Sequence, residues 1–321
     1  VETVSFQLNW EPNGFQAPYF LARDRGFYDE EGLDVEFVEG HGSPFAAEQA
    51  ARGRASFALA GASAVLSVQS QGFDPLAVAA VTQRTPAAVY TLRDVFGEPL
   101  ERPEQLAGRT VAPSATKTRI LAAQLLEAAG IRDEVELLEV DPHTHHRVQH
   151  RLLDGEVDAA VGVVTNGIEL EREHDRPADE LPIGEHLEIY GMTLVADPDL
   201  ADDEPGTVRS FLRATARGWA AATNGPGEAI DALVARNATL ERRREIERLK
   251  FETAAERLQF TEHVRRAGWG NHDGERWRRL GGMLAETELL EGAIEPDDAW
   301  TNAFLDTDAN AIRGYADRIG R

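Results

Sequence analysis

The sequence predicts an α/β chain folded into two lobes, the second inserted in the first. Three observations carry that expectation. Short apolar or alternating runs take turns with helix-period runs along most of the chain. With 321 residues, the chain exceeds what one hydrophobic core usually organises. Its strand-to-helix joints are rich in Gly, Ser, Thr and Asn, the residues that turn a chain and cap helices.

Residues 4–10 alternate as a strand does, with Phe6, Leu8 and Trp10 on one face. Pro12-Asn13-Gly14 breaks the run, and a helical pattern covers 17–25. A strand over 33–38 leads to a helix for which Ser43 is a cap, Pro44 a first-turn residue and Gly53 a stop. A strand over 55–59, a helix over 62–71 closed by Gly72 and an apolar strand over 76–81 complete the first set.

The second set begins near Ala87. A strand over 110–112 precedes a helix with Ile120, Leu121, Leu125 and Leu126 inward. Strands over 135–140 and 157–164 flank a helix that starts at Asp141-Pro142 and ends near Gly155. A strand over 193–196 returns to the first lobe. From Thr207 the chain is nearly all helical, Phe211, Leu212, Ala214, Gly218 and Trp219 marking one amphipathic helix. The expected lobes are 1–86 with 193–321, and 87–192, joined near 83–91 and 187–194. Strands separated by helices imply mainly parallel sheets with helices on both faces. Ligands of such sheets bind outside the carboxyl ends of the strands. Loops 10–16, 40–43, 61–63, 114–118 and 165–169 are therefore expected to serve a shared cleft. Trp10 sits in the first of these and offers a stacking surface there; a core role for it is the competing expectation. Ser43, Ser63 and Thr118 also fit plain helix capping.

The net charge is −23, from 56 acidic and 33 basic residues, and only two of the basic ones are lysines, Lys117 and Lys250. Such a surface repels nucleic acid and anionic membranes. It suits a saline medium, where repulsion is screened within a few ångströms; an arginine-rich, GC-rich genome would also favour arginine over lysine. The chain has no cysteine, which excludes disulfides, a thiol nucleophile and thiolate-held metal. No run approaches the roughly 20 apolar residues of a membrane span, and no charged, apolar leader stands at Val1.

Other motifs have bland explanations. His143, His146 and His150 share a helix face, but Val148 and Leu152 take the core side, so a solvated face is expected rather than a metal site. The stretch "ERRREIERLK" (241–250) is expected to be a solvated helix with an Arg243–Glu247 pair. "GWG" (268–270) follows no strand and is expected to be a turn with a packed tryptophan.

The stretches "LNWEPNGFQAPYFLARDRGFYDEEGLDVEF", "ARGRASFALAGASAVLSVQSQG", "AGRTVAPSATKTRILAAQLLEAAG" and "IYGMTLVADPDL" together resemble the SsuA/THI5-like substrate-binding proteins of ABC importers. The branch they are most similar to contains thiamine-pyrimidine binders and pyrimidine synthases. The Asn-Trp-x-x-Asn pattern at 9–13 is the most specific part. The resemblance implies a type II periplasmic-binding-protein-like fold, with a ligand cleft between two hinged lobes. It also implies a membrane permease as partner, an extracytoplasmic location with a tether preceding Val1, a monomer, and no cofactor. Trp10 matches the stacking residue and Asn9 and Asn13 the motif around it. Gln16, Ser63, Ser114, Thr116, Thr118 and Asn166 are further ligand-binding candidates on the loops. Glu169 and Tyr190 are candidates on the second lobe. The synthases' Lys and His after the third strand match Ala60 and Ala64 here, their first-helix His matches Gln16, and no cysteine-rich segment occupies 189–193. Those departures speak for a binder rather than an enzyme. An anion binder using Lys117 and Arg119 at a helix start, and an enzyme with Lys117 as a Schiff-base lysine, are the alternatives.

Overall fold

The computed structural model describes residues 1–140, 148–287 and 290–306. They form two compact units, Val1–Arg84 with Ile189–Arg321, and Thr85–Glu188. The strands are β1 (Glu2–Gln7), β2 (Leu33–Val38), β3 (Phe57–Gly61), β4 (Leu76–Ala80), β5 (Ala87–Leu92), β6 (Thr110–Pro113), β7 (Glu136–Leu137), β8 (Ala159–Val163), β9 (Ala178–Pro182) and β10 (Met192–Ala196). The helices of the first half are α1 (Ala17–Asp24), α2 (Phe27–Glu30), α3 (Ser43–Ala51), α4 (Ala62–Ser70), α5 (Arg93–Phe96), α6 (Thr116–Ala128), α7 (Val148–Leu153) and α8 (Asn166–His174). Those that follow are α9 (Pro198–Asp203), α10 (Pro205–Asn224), α11 (Pro226–Arg236), α12 (Arg244–Thr253), α13 (Glu262–Ala267) and α14 (Gly274–Ala285).

Each unit holds one five-stranded sheet, in the orders β2-β1-β3-β10-β4 and β7-β6-β8-β5-β9. The two orders are the same pattern. In each, the fourth position is taken by the strand on which the chain enters that unit from the other. That strand runs antiparallel to both neighbours, β10 against β3 and β4, and β5 against β8 and β9. Four of the five strands in each sheet share one direction, the mainly parallel arrangement that the alternation implies, and one antiparallel strand makes each sheet mixed. The exposed side of β4 is not left open. Ala77 exchanges backbone bonds with Ala299 and Thr301, and the Ala80 N–H donates to Gly270 O at 2.8 Å, which blunts an edge that would otherwise invite pairing.

The core of the first unit is aromatic. Phe57 stacks on Phe211 of α10 at 3.8 Å between centroids, and Phe6 meets Tyr19 of α1 edge-on at 5.1 Å. Six consecutive residues of α1, Ala17 to Ala22, are buried, so the helix is enclosed on nearly every side. The second unit packs Tyr90, Leu92, Ala112, Val148, Leu152, Val157, Ala160 and Leu170.

Several boundaries move. β1 ends at Gln7, three residues before the expected end. β7 is only two residues long where six were expected. β9 went unread because Asp179, Glu180 and Pro182 disguise an edge strand. Gly42, not Ser43, is the N-cap residue of α3. Trp269 is buried, as expected of a packed turn. Of the histidine face, His143 and His146 lie outside the described residues. His150 is exposed and Val148 and Leu152 are buried.

Candidate functional site

In the first unit, β1, β2 and β3 run parallel, so the loops that follow them leave from one edge of the sheet. The antiparallel β10 begins at that same edge, with Met192 opposite Gly61. Two buried features bind the first two loops together. The Gln7 side chain, 4% exposed, donates from Nε2 to Glu39 O at 2.8 Å and to Leu8 O at 3.1 Å. Gly40 lies against the backbone of 8–10: a Cβ there would stand 2.2 Å from Trp10 N and 2.3 Å from Leu8 O. No side chain fits in that space, so a glycine is required. The Gly42 N–H then donates to Asn9 O at 2.7 Å.

Within the first loop the amides satisfy one another. Gln16 Nε2 donates to Asn9 Oδ1 at 3.0 Å, and Gln16 Oε1 accepts from the Asn13 N–H at 3.0 Å. Asn13 Oδ1 caps the following turn by accepting from the Phe15 N–H at 3.0 Å. The structure thus brings Asn9, Asn13 and Gln16 into one network and leaves Asn9 Nδ2 without a protein acceptor among the described residues. Trp10, beyond the strand rather than at its end, is 56% exposed, which removes the core reading. Phe45, in the first turn of α3, is 39% exposed, with His41 edge-on to it at 5.5 Å. This second exposed aromatic of the edge was missed, because its position three residues into a helix reads as a core contact.

Ser63 is half-buried in the first turn of α4 and makes no cap bond. Tyr190 belongs to this first unit and not to the second lobe, a correction. The chain rejoins the first unit at Ile189, just before β10. The Tyr190 ring is 3% exposed, its hydroxyl accepts from the Asp273 N–H at 2.6 Å, and Arg276 lies over it at 5.5 Å. Burial pushes its phenol up to about 12. Around it pack His272 and Trp277, with Trp300 against His272.

The second unit arranges its loops on its own sheet edge. Thr118 Oγ1 accepts from the Ala115 N–H at 3.0 Å and donates to Ala115 O at 2.8 Å; that is a capping role. Ser114 Oγ stands 3.4 Å from the same hydroxyl, and Thr116 is exposed. Asn166 Oδ1 accepts from the Val163 N–H at 2.8 Å, and its Nδ2 lies 3.5 Å from Glu169 Oε2. The Gly167 N–H donates to Glu180 Oε1 of β9 at 2.7 Å, so Asn166 and Glu180 together shape the start of α8. Lys117 is exposed on the first turn of α6. Desolvation lowers its pKa to about 8, so at neutral pH the side chain is mostly a cation rather than a ready nucleophile. Arg119 pairs with Glu139 and donates to Leu138 O, which commits its guanidinium away from an anion site.

"ERRREIERLK" is not the fully solvated helix expected. Glu247 and Phe251 of α12 are buried, and Glu247 reaches the first loop, as described below. Nothing in the local charge pattern distinguishes it from its exposed neighbours.

A family model described as NMT1/THI5 like matches residues 13–229. A formylaminopyrimidine-binding protein of Halalkalibacterium halodurans is 24% identical over 313 residues, covering 94% of this chain and 90% of that protein. A riboflavin-binding protein of Chloroflexus aurantiacus is 25% identical over 317 residues, covering 95% and 86%. Among solved structures, the periplasmic aliphatic sulphonate-binding protein of Escherichia coli superposes with a TM-score of 0.72 at 14% identity, covering 93% of this chain and 92% of that one.

Proposed function

The chain belongs to the NMT1/THI5-like family, and on that footing we propose that it is the solute-binding component of an ABC importer for a small, flat heteroaromatic molecule. The preferred ligand is an aminopyrimidine precursor of thiamine, such as hydroxymethylpyrimidine or its formylamino form. The observation that carries this reading is the 56% exposure of Trp10 on a loop whose amides are already ordered around it. A large apolar ring held open to water beside a donor, Asn9 Nδ2, suits a planar ligand with ring acceptors. Both curated relatives described above are named for binding heteroaromatic compounds. In this reading Asn13 and Gln16 order the loop, Ser63 offers a hydroxyl, and Ser114, Thr116, Asn166 and Glu169 are the polar contacts of the second unit. Tyr190 and Thr118 act from behind, their hydroxyls already bonded. The chain binds and releases without covalent chemistry. No helix among the described residues is long and apolar enough to cross a membrane; passage through the membrane belongs to a partner permease, which the chain serves from the extracytoplasmic side.

Calorimetric titration with hydroxymethylpyrimidine, formylaminopyrimidine, riboflavin and an alkylsulfonate tests the reading. The expected result is heat from a neutral heteroaromatic and none from the sulfonate. Binding of the sulfonate alone would assign the site to anions through Lys117 and end the stacking proposal.

We also propose that the protein is built for a saline medium. Its charge of −23 opposes compaction in dilute buffer, and salt relieves this by shortening the reach of repulsion from about 30 Å at 0.01 M to about 3 Å at 1 M. The melting temperature is expected to rise steadily between low and molar potassium chloride. A flat or falling curve would leave the acidic composition without that explanation.

A further inference from the structure

The loop carrying Asn9, Trp10, Asn13 and Gln16 is held from beneath by a helix far along the chain. Glu247 of α12 is 1% exposed. Its Oε2 accepts from the Gly14 N–H at 2.7 Å, and its Oε1 lies 3.3 Å from Lys250 Nζ one turn later. The helix backbone presses on the same point: a Cβ on Gly14 would stand 2.1 Å from Glu247 O and 3.0 Å from Lys250 Cβ. Only glycine lets the loop lie so close.

A carboxylate is a costly way to fill a buried position. An apolar side chain of similar volume would pack α12 against the loop without desolvating a charge. What the carboxylate adds is direction, because a charge-assisted bond to one backbone N–H fixes the loop at a single point. Gly14 opens the turn that Asn13 caps and Gln16 closes, and Gln16 in turn holds Asn9. The chain of contacts therefore runs Lys250, Glu247, Gly14, Gln16, Asn9, and Trp10 is the next residue.

We infer that Glu247, backed by Lys250, is the positioning residue of the ligand loop: it sets where Trp10 and Asn9 stand without touching the ligand. This rests on the proposed reading of that loop as a binding element.

The test uses Glu247→Ala, Glu247→Gln, Gly14→Ala and, as a control, Phe251→Leu. Phe251 is a buried residue of the same helix that packs on Trp219. Two readouts are taken on the whole protein: hydrogen exchange of the amides of residues 14–16, and affinity for hydroxymethylpyrimidine. Glu247→Ala is expected to speed exchange at Gly14 and weaken binding about 10-fold or more, the loss of a charged hydrogen bond. Glu247→Gln keeps an acceptor for the Gly14 N–H and should recover most of both. Gly14→Ala pushes the loop off α12 with the Glu247–Lys250 pair intact, so it should weaken binding even if Glu247→Ala fails to fold. Phe251→Leu should lower the melting temperature and leave both readouts at the parent level. Parent-like exchange at 14–16 in Glu247→Ala, or a Phe251→Leu variant that reproduces the losses, would overturn the assignment. If the parent protein binds no pyrimidine at all, the ligand reading fails, and exchange at 14–16 still decides the positioning role.

Discussion

Replacing Trp10 by alanine is expected to weaken ligand binding about 5- to 150-fold and to leave the melting temperature nearly unchanged. The first figure follows from stacking, worth roughly 1–3 kcal/mol per heterocyclic base by alanine substitution, converted to affinity at about 1.4 kcal/mol per tenfold. The second follows from exposure. A ring 56% open to water has no stacked or edge-on aromatic neighbour among the described residues and contributes little packing, so its removal falls within the roughly ±0.5 kcal/mol of ordinary surface changes. A tryptophan built into the core would behave in the opposite way, costing about 3–5 kcal/mol on truncation. Trp10→Phe keeps a smaller aromatic face and should retain part of the affinity. Paired titration and thermal melting separate these cases. A Trp10→Ala protein that binds hydroxymethylpyrimidine as the parent does would remove the stacking role.

The features that were legible in the sequence share a physical property: they depend on local period or on a short motif. The alternation in β1, the buried run of β4 and the apolar stripe of α10 each declare themselves within one element. The Trp10 loop was legible because Asn9, Trp10 and Asn13 form a compact pattern. Errors cluster where burial contradicts polarity. Gln7 is polar yet buried at the end of β1, and Leu8 is apolar yet already past it, so the alternation overran the strand. β9 carries two acids on an edge, where a strand need not be apolar. Contacts between distant segments were illegible. Glu247 stands 233 positions from Gly14, in a run of charges whose spacing suits solvent-facing pairs equally well. Tyr190 lies one residue past a unit boundary that no composition change marks, so its lobe could be read only from the path of the backbone into β10.

Acid should destabilise the protein already between pH 6.5 and 5, and His272 is the reason. It is 4% exposed, enclosed by the rings of Tyr190, Trp277 and Trp300, with its backbone N–H and C=O both bonded to the Asn302 side chain. Its Nδ1 accepts from Trp277 Nε1–H at 3.1 Å, which assigns the neutral ring's proton to Nε2. Burial pushes its pKa down to about 3, with His263 adding to the effect. The other charged groups nearby are Asp273 and Arg276, the latter over Tyr190. The unfolded imidazole titrates near 6.5. Above that pH both states are neutral and the full stability is present. Below it the unfolded chain binds a proton that the folded chain refuses, so stability falls by about 1.4 kcal/mol per pH unit until the folded pKa is reached. Across pH 6.5 to 5 that is roughly 2 kcal/mol, against the 5–15 kcal/mol by which typical domains are stable. Glu31, held low by Arg213, and Glu228, held low by Arg25, add their loss only at lower pH. His272→Gln keeps an acceptor for Trp277 Nε1–H and cannot titrate. Urea denaturation at pH 7.5, 6 and 5 should therefore show the variant less stable than the parent at pH 7.5, with the gap closing as pH falls. Comparing the two proteins cancels the contribution of the remaining charges, His263 included. A gap that stays constant across the three pH values would mean that His272 is protonated as readily inside the fold as outside it.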